Sequence, residues 1–386
     1  MGGGKSEQMT KLVFIGDVML GRMVGAKYHQ HPYQIVSDSL VKDIGDADFI
    51  IANLESPVVK TAKTDGDHLQ FAGNPGTLDN LKWIDAFSLT NNHINDCGEL
   101  GMDETIAILD EKGIKYNGLY VSDYEPLKIV NGGCKIAVVT VTDMMNIPFA
   151  EENKWKTLRV GDKKVLNTIK EWKEKGWFII LFAHIGLLFS RYPNPVTLDY
   201  LHSCIDNGVD TVVTAHSHCL GCMEMYHDVP IFHSLGDFVM DGNSFRRRRS
   251  GILKLEISAG KVKDWRIIPA EINEEYVTAS PSEKVGKRML DKYAQCSEKL
   301  AKNADRYTQF FKWQYKKEMV QHTSSTLSYL VHTKGVGGML KIVFLRFEEV
   351  GRMFKWVSKD RSHDRRDDDA IKADRKKFAQ DELFKN

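Results

Sequence analysis

Lys11-Leu12-Val13-Phe14-Ile15-Gly16-Asp17 is a short β-rich run that stops on a glycine and a carboxylate. The same arrangement, an apolar strand followed at once by polar residues, recurs along the chain. Strands are expected at Lys11–Ile15, Phe49–Ala52, Ala86–Leu89, Ile136–Val141, Phe178–Ala183 and Thr211–Thr214. Helical periodicity falls between them, around Gln34–Lys42, Met102–Glu111, Val165–Glu174 and Val196–Ile205. Gly113 and Gly208 stand just past two of these helices, where a left-handed cap is needed. Ile231–Ser234 and Ile252–Ile257 add strands of hairpin character. Alternation of this kind specifies an α/β architecture.

After about Pro281 the strand signals stop. Ser282–Lys302, Ala304–Val320 and Met339–Val357 read as amphipathic or charged helices, and Ser358–Asn386 as a solvated or disordered tail. The expected division is therefore a catalytic-type domain over residues 1–275 and a helical, basic extension over 276–386. The net charge of +1 hides an asymmetry. Residues 281–386 carry about nine net positive charges, which leaves about eight net negative ahead of them.

Six cysteines in 386 residues do not make a disulfide scaffold. Neither a signal region nor a run of about 18 apolar residues is found, so a cytoplasmic address is expected. Membrane attachment would then be peripheral. A stripe over Met339–Val357, interrupted by Lys341, Arg346, Arg352 and Lys355, is the segment suited to it, or to docking on the catalytic domain or a second chain. Met1-Gly2 with Ser6 fits a myristoylation pattern that glycine-led starts also match by chance.

The chemistry is expected where the polar residues follow strands, because in open α/β sheets those ends form the ligand crevice. Asp17 follows the first strand, as a hard metal ligand or a turn aspartate. Asn53 and Glu55 follow the second. Thr90-Asn91-Asn92-His93 follows the third, with Asp96 three residues beyond the histidine. An amide there can ligate metal and an imidazole can act as an acid, although Asx-turn chemistry alone also accounts for such a run. His184 follows Phe178–Ala183. Ala215-His216-Ser217-His218 follows Thr211–Thr214, and in an extended segment residues one apart share a side, which would aim both imidazoles together. Two carboxylates, an asparagine and three histidines form the mixed oxygen and nitrogen set that two divalent ions need. Cys219 and Cys222 could suggest zinc, but without a second pair they read as core cysteines.

The ordered blocks resemble the calcineurin-like metallophosphoesterases and, within them, the CapA capsule (poly-gamma-glutamate) synthesis family. The resemblance rests on Gly16-Asp17-Val18-Met19-Leu20-Gly21-Arg22, Asn53-Leu54-Glu55-Ser56-Pro57, Asn91-Asn92-His93 with Asp96 and Gly98, and Ser234-Leu235-Gly236-Asp237-Phe238. It spans roughly residues 11–270. It implies a four-layer αββα sandwich with a dinuclear centre of Mn, Fe or Zn. Asp17 and His218 would hold one ion, Asn92, His184 and His216 the other, with Glu55 bridging. His93 would face the leaving group, oriented by Asp96. Arg22, Asn53 and Asp237, which sit in or beside these blocks, are candidate substrate contacts. So are Arg246, Arg247, Arg248 and Arg249, whose charge run otherwise reads as a solvated hairpin.

The sequence departs from the family pattern at several points. Met19 stands where the wider superfamily has a ligand histidine. The block His184-Ile185-Gly186-Leu187-Leu188-Phe189 has Leu188 at the family's acidic position, and Asp237 replaces an asparagine. The function implied is a metal-dependent hydrolase acting on a phosphoester or related anionic substrate, small molecule or polymer, in capsule polymer biosynthesis. Its rival is a binding or assembly component of a membrane-associated polymer synthase, with the extension meeting synthase subunits or the membrane surface. Nothing in the sequence supplies the aromatic-interleaved basic groove of a nuclease, so nucleic acid is not an expected partner.

Overall fold

A computed structural model describes residues 9–64, 70–143 and 145–345. The first half alternates β1 (Thr10–Val18), α1 (Arg22–Gln30), α2 (Asp38–Ile44), β2 (Phe49–Leu54), β3 (Ala86–Ser88), α3 (Gly98–Glu111) and β4 (Lys115–Asn117). There follow β5 (Leu127–Asn131), β6 (Cys134–Thr142), α4 (Lys163–Glu174), β7 (Phe178–His184), α5 (Pro195–Asp206) and β8 (Thr211–Ala215). The remaining strands are β9 (Cys222–Tyr226), β10 (Val229–His233), β11 (Asp237–Val239), β12 (Arg249–Ser258), β13 (Lys261–Ile272) and β14 (Thr278–Ala279). Two helices close the described chain, α6 (Glu283–Lys302) and α7 (Tyr307–Leu345).

The strands form two sheets. One runs β14-β13-β12-β1-β2-β3-β4, with β11 also paired to β1, and the other β5-β6-β7-β8-β10-β9. β1 to β4 are mutually parallel, as are β6, β7, β8 and β10. Both faces of β1 are buried, and its alternation sorts the side chains into layers. Leu12 and Phe14 enter the core between the sheets, with Ile180, Phe182 and Val213 of the second sheet. Phe14 meets Phe182 edge-on at 5.4 Å. Val13 and Ile15 face the other way, onto Val24 of α1, Leu40 of α2 and Met102 and Ile108 of α3. Across the molecule, Val139, Ile179 and Leu181 pack on Val165 and Ile169 of α4 and Leu201 and Ile205 of α5. Helix, sheet, sheet, helix is the expected sandwich.

Some boundaries move. The helix expected from Gln34 starts at Asp38. Val36 is instead extended and bridges to Thr278, and the Ser37 side chain accepts from the Leu40 N–H as an N-cap. The helix expected over Ala304–Val320 runs on to Leu345, interrupted at Gly335 (φ 70°). Of the Met339–Val357 stripe, only Met339–Leu345 falls in that helix and the rest lies outside the described residues, as do the tail and Met1–Ser6. Among the described residues no helix is long and apolar enough to cross a membrane. Cys219 and Cys222 are buried thiols, Cys222 packing with Cys296 of α6.

Candidate metal centre

Because β1, β2, β7 and β8 are parallel within their sheets, their C-terminal ends bring Asp17, Asn53, Glu55, His184 and His216 to one place. The approach of β1 to β11 is very close: Asp17 lies beside Asp237 in register, and a Cβ on Gly16 would fall 2.1 Å from the Gly236 carbonyl oxygen. Two groups of donor atoms result, each lying within 4.8 Å of one another: Glu55, His184 and His216 in the first, and Asp17, Glu55 and His218 in the second. Glu55 belongs to both. Asn92 joins the first group, its Oδ1 lying 2.7 Å from His184 Nε2.

The histidines arrive by a route different from the one expected. β8 ends at Ala215, and His216 (φ 93°) and His218 (φ 57°) both have left-handed backbones, so strand alternation is not what aims them. Left-handed non-glycine residues cost free energy and persist only where the surroundings over-determine them. Here the His216 N–H donates to Asp17 Oδ2 at 3.2 Å, which ties the turn to β1.

Asn53 fixes the centre from below. Its Nδ2 donates to Asp17 Oδ1 at 2.8 Å and lies 3.1 Å from His184 Nδ1. With Nδ1 turned to Asn53, His184 presents Nε2 to Asn92 Oδ1, to His216 Nδ1 at 2.9 Å and to Glu55 Oε1 at 3.4 Å. Asn91 holds Asn53 in turn, donating to its Oδ1 and to the Leu54 carbonyl.

The electrostatics show a deficit of positive charge. Glu55 is fully buried and neither carboxylate oxygen has a hydrogen-bond partner. Burial pushes its pKa up, as it does that of Asp17, which burial and the neighbouring Glu55 charge raise to about 7. Burial holds His184 down at about 3, a neutral imidazole with one ring-nitrogen lone pair to offer. Burial also opposes a proton on His218, but Asp237 (2.6 Å away) and Glu55 outweigh it and hold that imidazole up at about 9. Three buried carboxyls therefore face one imidazolium and one guanidinium, Arg247, whose Nε lies 3.3 Å from Asp237 Oδ2. Orphaned carboxylate oxygens, a neutral imidazole and an amide oxygen converging on one point suit divalent cations. Met19, at the superfamily's ligand-histidine position, turns into an apolar cluster with Phe71 and Met240 and leaves the centre one ligand short of that pattern.

His93 stands beside this centre. Its Nδ1 donates to Asp96 Oδ2 at 2.6 Å, and the same oxygen accepts from the Phe71 N–H. Phe71 stacks on the imidazole at 3.9 Å, and Arg22 lies over Phe71 while pairing with Asp241 at 3.0 Å. Asn146 Nδ2 reaches His93 Nε2 at 3.1 Å. Asn146 was not singled out by the sequence, and Asn91 was named only within its Asn-Asn-His block. Asn146 follows β6 as the other candidates follow their strands, so the same rule would have found it.

The arginine run splits. Arg247 alone reaches the centre. Arg246 is buried against Glu318 of α7, Arg248 donates to the carbonyls of Gly242 and Asn273, and Arg249 pairs with Glu271 at 2.8 Å. Three of the four expected anion contacts thus already have partners in the fold, which the solvated-hairpin reading did not foresee either.

Two packed sheets under flanking helices, with buried carboxylate, imidazole and amide donors at their strand ends, define a metallophosphoesterase-like sandwich with a candidate metal centre. The sequence model of the family described as bacterial capsule synthesis protein PGA_cap matches residues 11–242, and the chain belongs to that family. It is similar to the PGA biosynthesis protein CapA of Bacillus subtilis (strain 168), at 25% identity over 288 residues, 72% of this chain and 75% of that protein. It is also similar to the capsule biosynthesis protein CapA of Bacillus anthracis, at 24% identity over 284 residues, 70% and 69% of the two chains. A solved structure of a hypothetical protein from Thermus thermophilus covers 68% of this chain and 99% of that one, at 13% identity and a TM-score of 0.42, too distant to carry an argument.

Proposed function

We propose that this chain is a metal-dependent hydrolase of a phosphoester or related anionic substrate, working in capsule polymer biosynthesis of the poly-gamma-glutamate kind. The observation that carries the reading is Glu55, buried and shared by two donor groups, with no hydrogen bond on either oxygen. Asp17, Glu55 and His218 would hold one divalent ion, and Glu55, Asn92, His184 and His216 a second. Such ions supply Lewis acidity toward an anionic oxygen and toward water. The chain's own residues do the rest. Asn53 orients Asp17 and His184. Asp96 holds the His93 ring by Nδ1, which leaves Nε2 as the nitrogen that exchanges a proton with a leaving oxygen. Arg247 and Arg22, one by His218 and the other by His93, would meet substrate charge.

The test is hydrolysis of a generic aryl phosphate ester by protein loaded with Mn, Fe or Zn. Metal-dependent turnover that falls in His93→Ala supports the reading. Metal uptake without turnover on phosphoesters or glutamyl peptides favours the rival, a binding or assembly component of a polymer synthase. That second reading draws on the apolar Met19 and on Leu188 at the family's acidic position.

A further inference from the structure

α7 begins at Tyr307, far beyond the family-matched residues 11–242, yet it reaches the candidate centre. His322 stacks on the Phe189 ring at 3.9 Å with the planes 4° apart, and Phe189 leans over His218 at 6.3 Å. Phe189 has a left-handed backbone (φ 62°), and its peptide is clamped on both sides. Its N–H donates to the Ser217 carbonyl at 2.8 Å, between the two ligand histidines, and its carbonyl accepts from Arg246 Nη2 at 2.8 Å. Arg246 is itself held by α7. Its guanidinium pairs with the buried Glu318 carboxylate and donates to the Glu318 carbonyl at 3.0 Å, and its N–H donates to Ser325 Oγ at 3.2 Å. The Arg247 guanidinium lies 5.5 Å from the Phe189 ring centroid.

We propose that α7 is a wall of the substrate site, in which His322 and Glu318 are positioning residues that hold Phe189 and the arginine loop so that Arg247 is presented to an anion beside His218. The proposal rests on the metal-centre reading above and adds to it which element sets anion affinity. A stacked plate on a strained peptide fixes the aromatic platform under Arg247. An arginine pre-set in this way gives up less side-chain freedom when it binds an oxyanion than one in a free loop. The metal donors lie on other elements, and the turn that carries two of them is tied to β1 independently by the His216 N–H, so the wall acts on substrate affinity and leaves metal retention alone.

The experiment uses the full metal-loaded chain, with inorganic phosphate as the probe in calorimetry at low salt and an aryl phosphate ester in steady-state kinetics. His322→Ala should raise the phosphate Kd and the KM by about tenfold, the loss of roughly one well-made charge-assisted contact. Its kcat should stay within about twofold and its metal content should be unchanged. His322→Phe, which keeps the plate, should restore the affinity. If His322→Ala does not fold, His322→Leu keeps the volume without the plate and carries the same expectation. An unchanged phosphate Kd, a loss of metal, or a His322→Phe variant as weak as the alanine one overturns the proposal, as does a wild-type chain that binds no phosphate. His322-dependent phosphate binding in a chain that hydrolyses no ester upholds the wall and contradicts the hydrolase reading instead.

Discussion

Asp96 shows how a single side chain can be read as chemistry. Its Oδ2 accepts from both His93 Nδ1 and the Phe71 N–H, so it fixes a tautomer and a ring orientation together. Asp96→Asn keeps the shape but favours the wrong tautomer. It should lower kcat on an aryl phosphate by about a hundredfold or more while metal content stays at the wild-type level. Equal kcat values would remove His93 from the proton-transfer role. Asp17, Asn92 and His93 were legible because each comes just past an apolar run, Lys11–Ile15 for the first and Ala86–Leu89 for the other two. The fate of the arginines was not. Arg246 finds its partner, Glu318, 72 residues further on, and no local pattern announces a contact of that range. His216 and His218 were singled out for a wrong reason, since the left-handed turn that aims them is a property of the tertiary contact with Asp17.

Among the elements, β1 and β11 form the junction on which the centre depends. Gly16→Ala would drive a Cβ into the Gly236 carbonyl and part Asp17 from Asp237. A loss of about 2–4 kcal/mol in urea unfolding is expected, together with weakened metal binding. Wild-type stability would mean that the strands do not meet so closely. A second junction joins α5, β9 and β10 through Glu224, whose Oε1 lies 3.1 Å from His202 Nε2 and 3.3 Å from His233 Nε2. Burial alone would raise this carboxyl, but the two imidazoles outweigh it and hold it down at about 2, against an ordinary value of 4.5. A depressed folded-state pKa contributes stability that is present above 4.5 and lost as the pH falls through about 2. The contribution is on the order of 2–3 kcal/mol, so Glu224→Gln should flatten the acid side of the stability profile in that window. A profile identical to wild type would show the pairing to be energetically idle. The buried strands β1, β2, β6, β7, β8 and β12 and α3 to α6 were readable from periodicity, but the twelve-residue β13 was not, because its first half is largely exposed and charged. α1 was not, because Gly25 interrupts it and Val24 is its one buried apolar side chain, and three-residue β4 and β11 are too short to leave a pattern.

Across the whole molecule, the front of the chain carries the family's sandwich and the donor set, and the rear adds two helices that cover it. α6 closes one end of the inter-sheet core with Met289 and Tyr293, and α7 joins it through Tyr307 and Phe311 around Cys222. The sequence predicted the change of texture near Pro281 but not that the second of these helices would reach back to Phe189 and Arg246. Glu55, shared by both donor groups and without a hydrogen bond on either oxygen, is the residue on which both ions would depend. Elemental analysis of the chain after loading with Mn, Fe or Zn and removal of free metal tests this dependence most directly. About two ions per chain are expected in the wild type, and less than one in a folded Glu55→Gln variant, because both donor groups lose their common carboxylate. A wild-type chain that retains no metal, or a Glu55→Gln chain that retains as much as the wild type, would contradict the account.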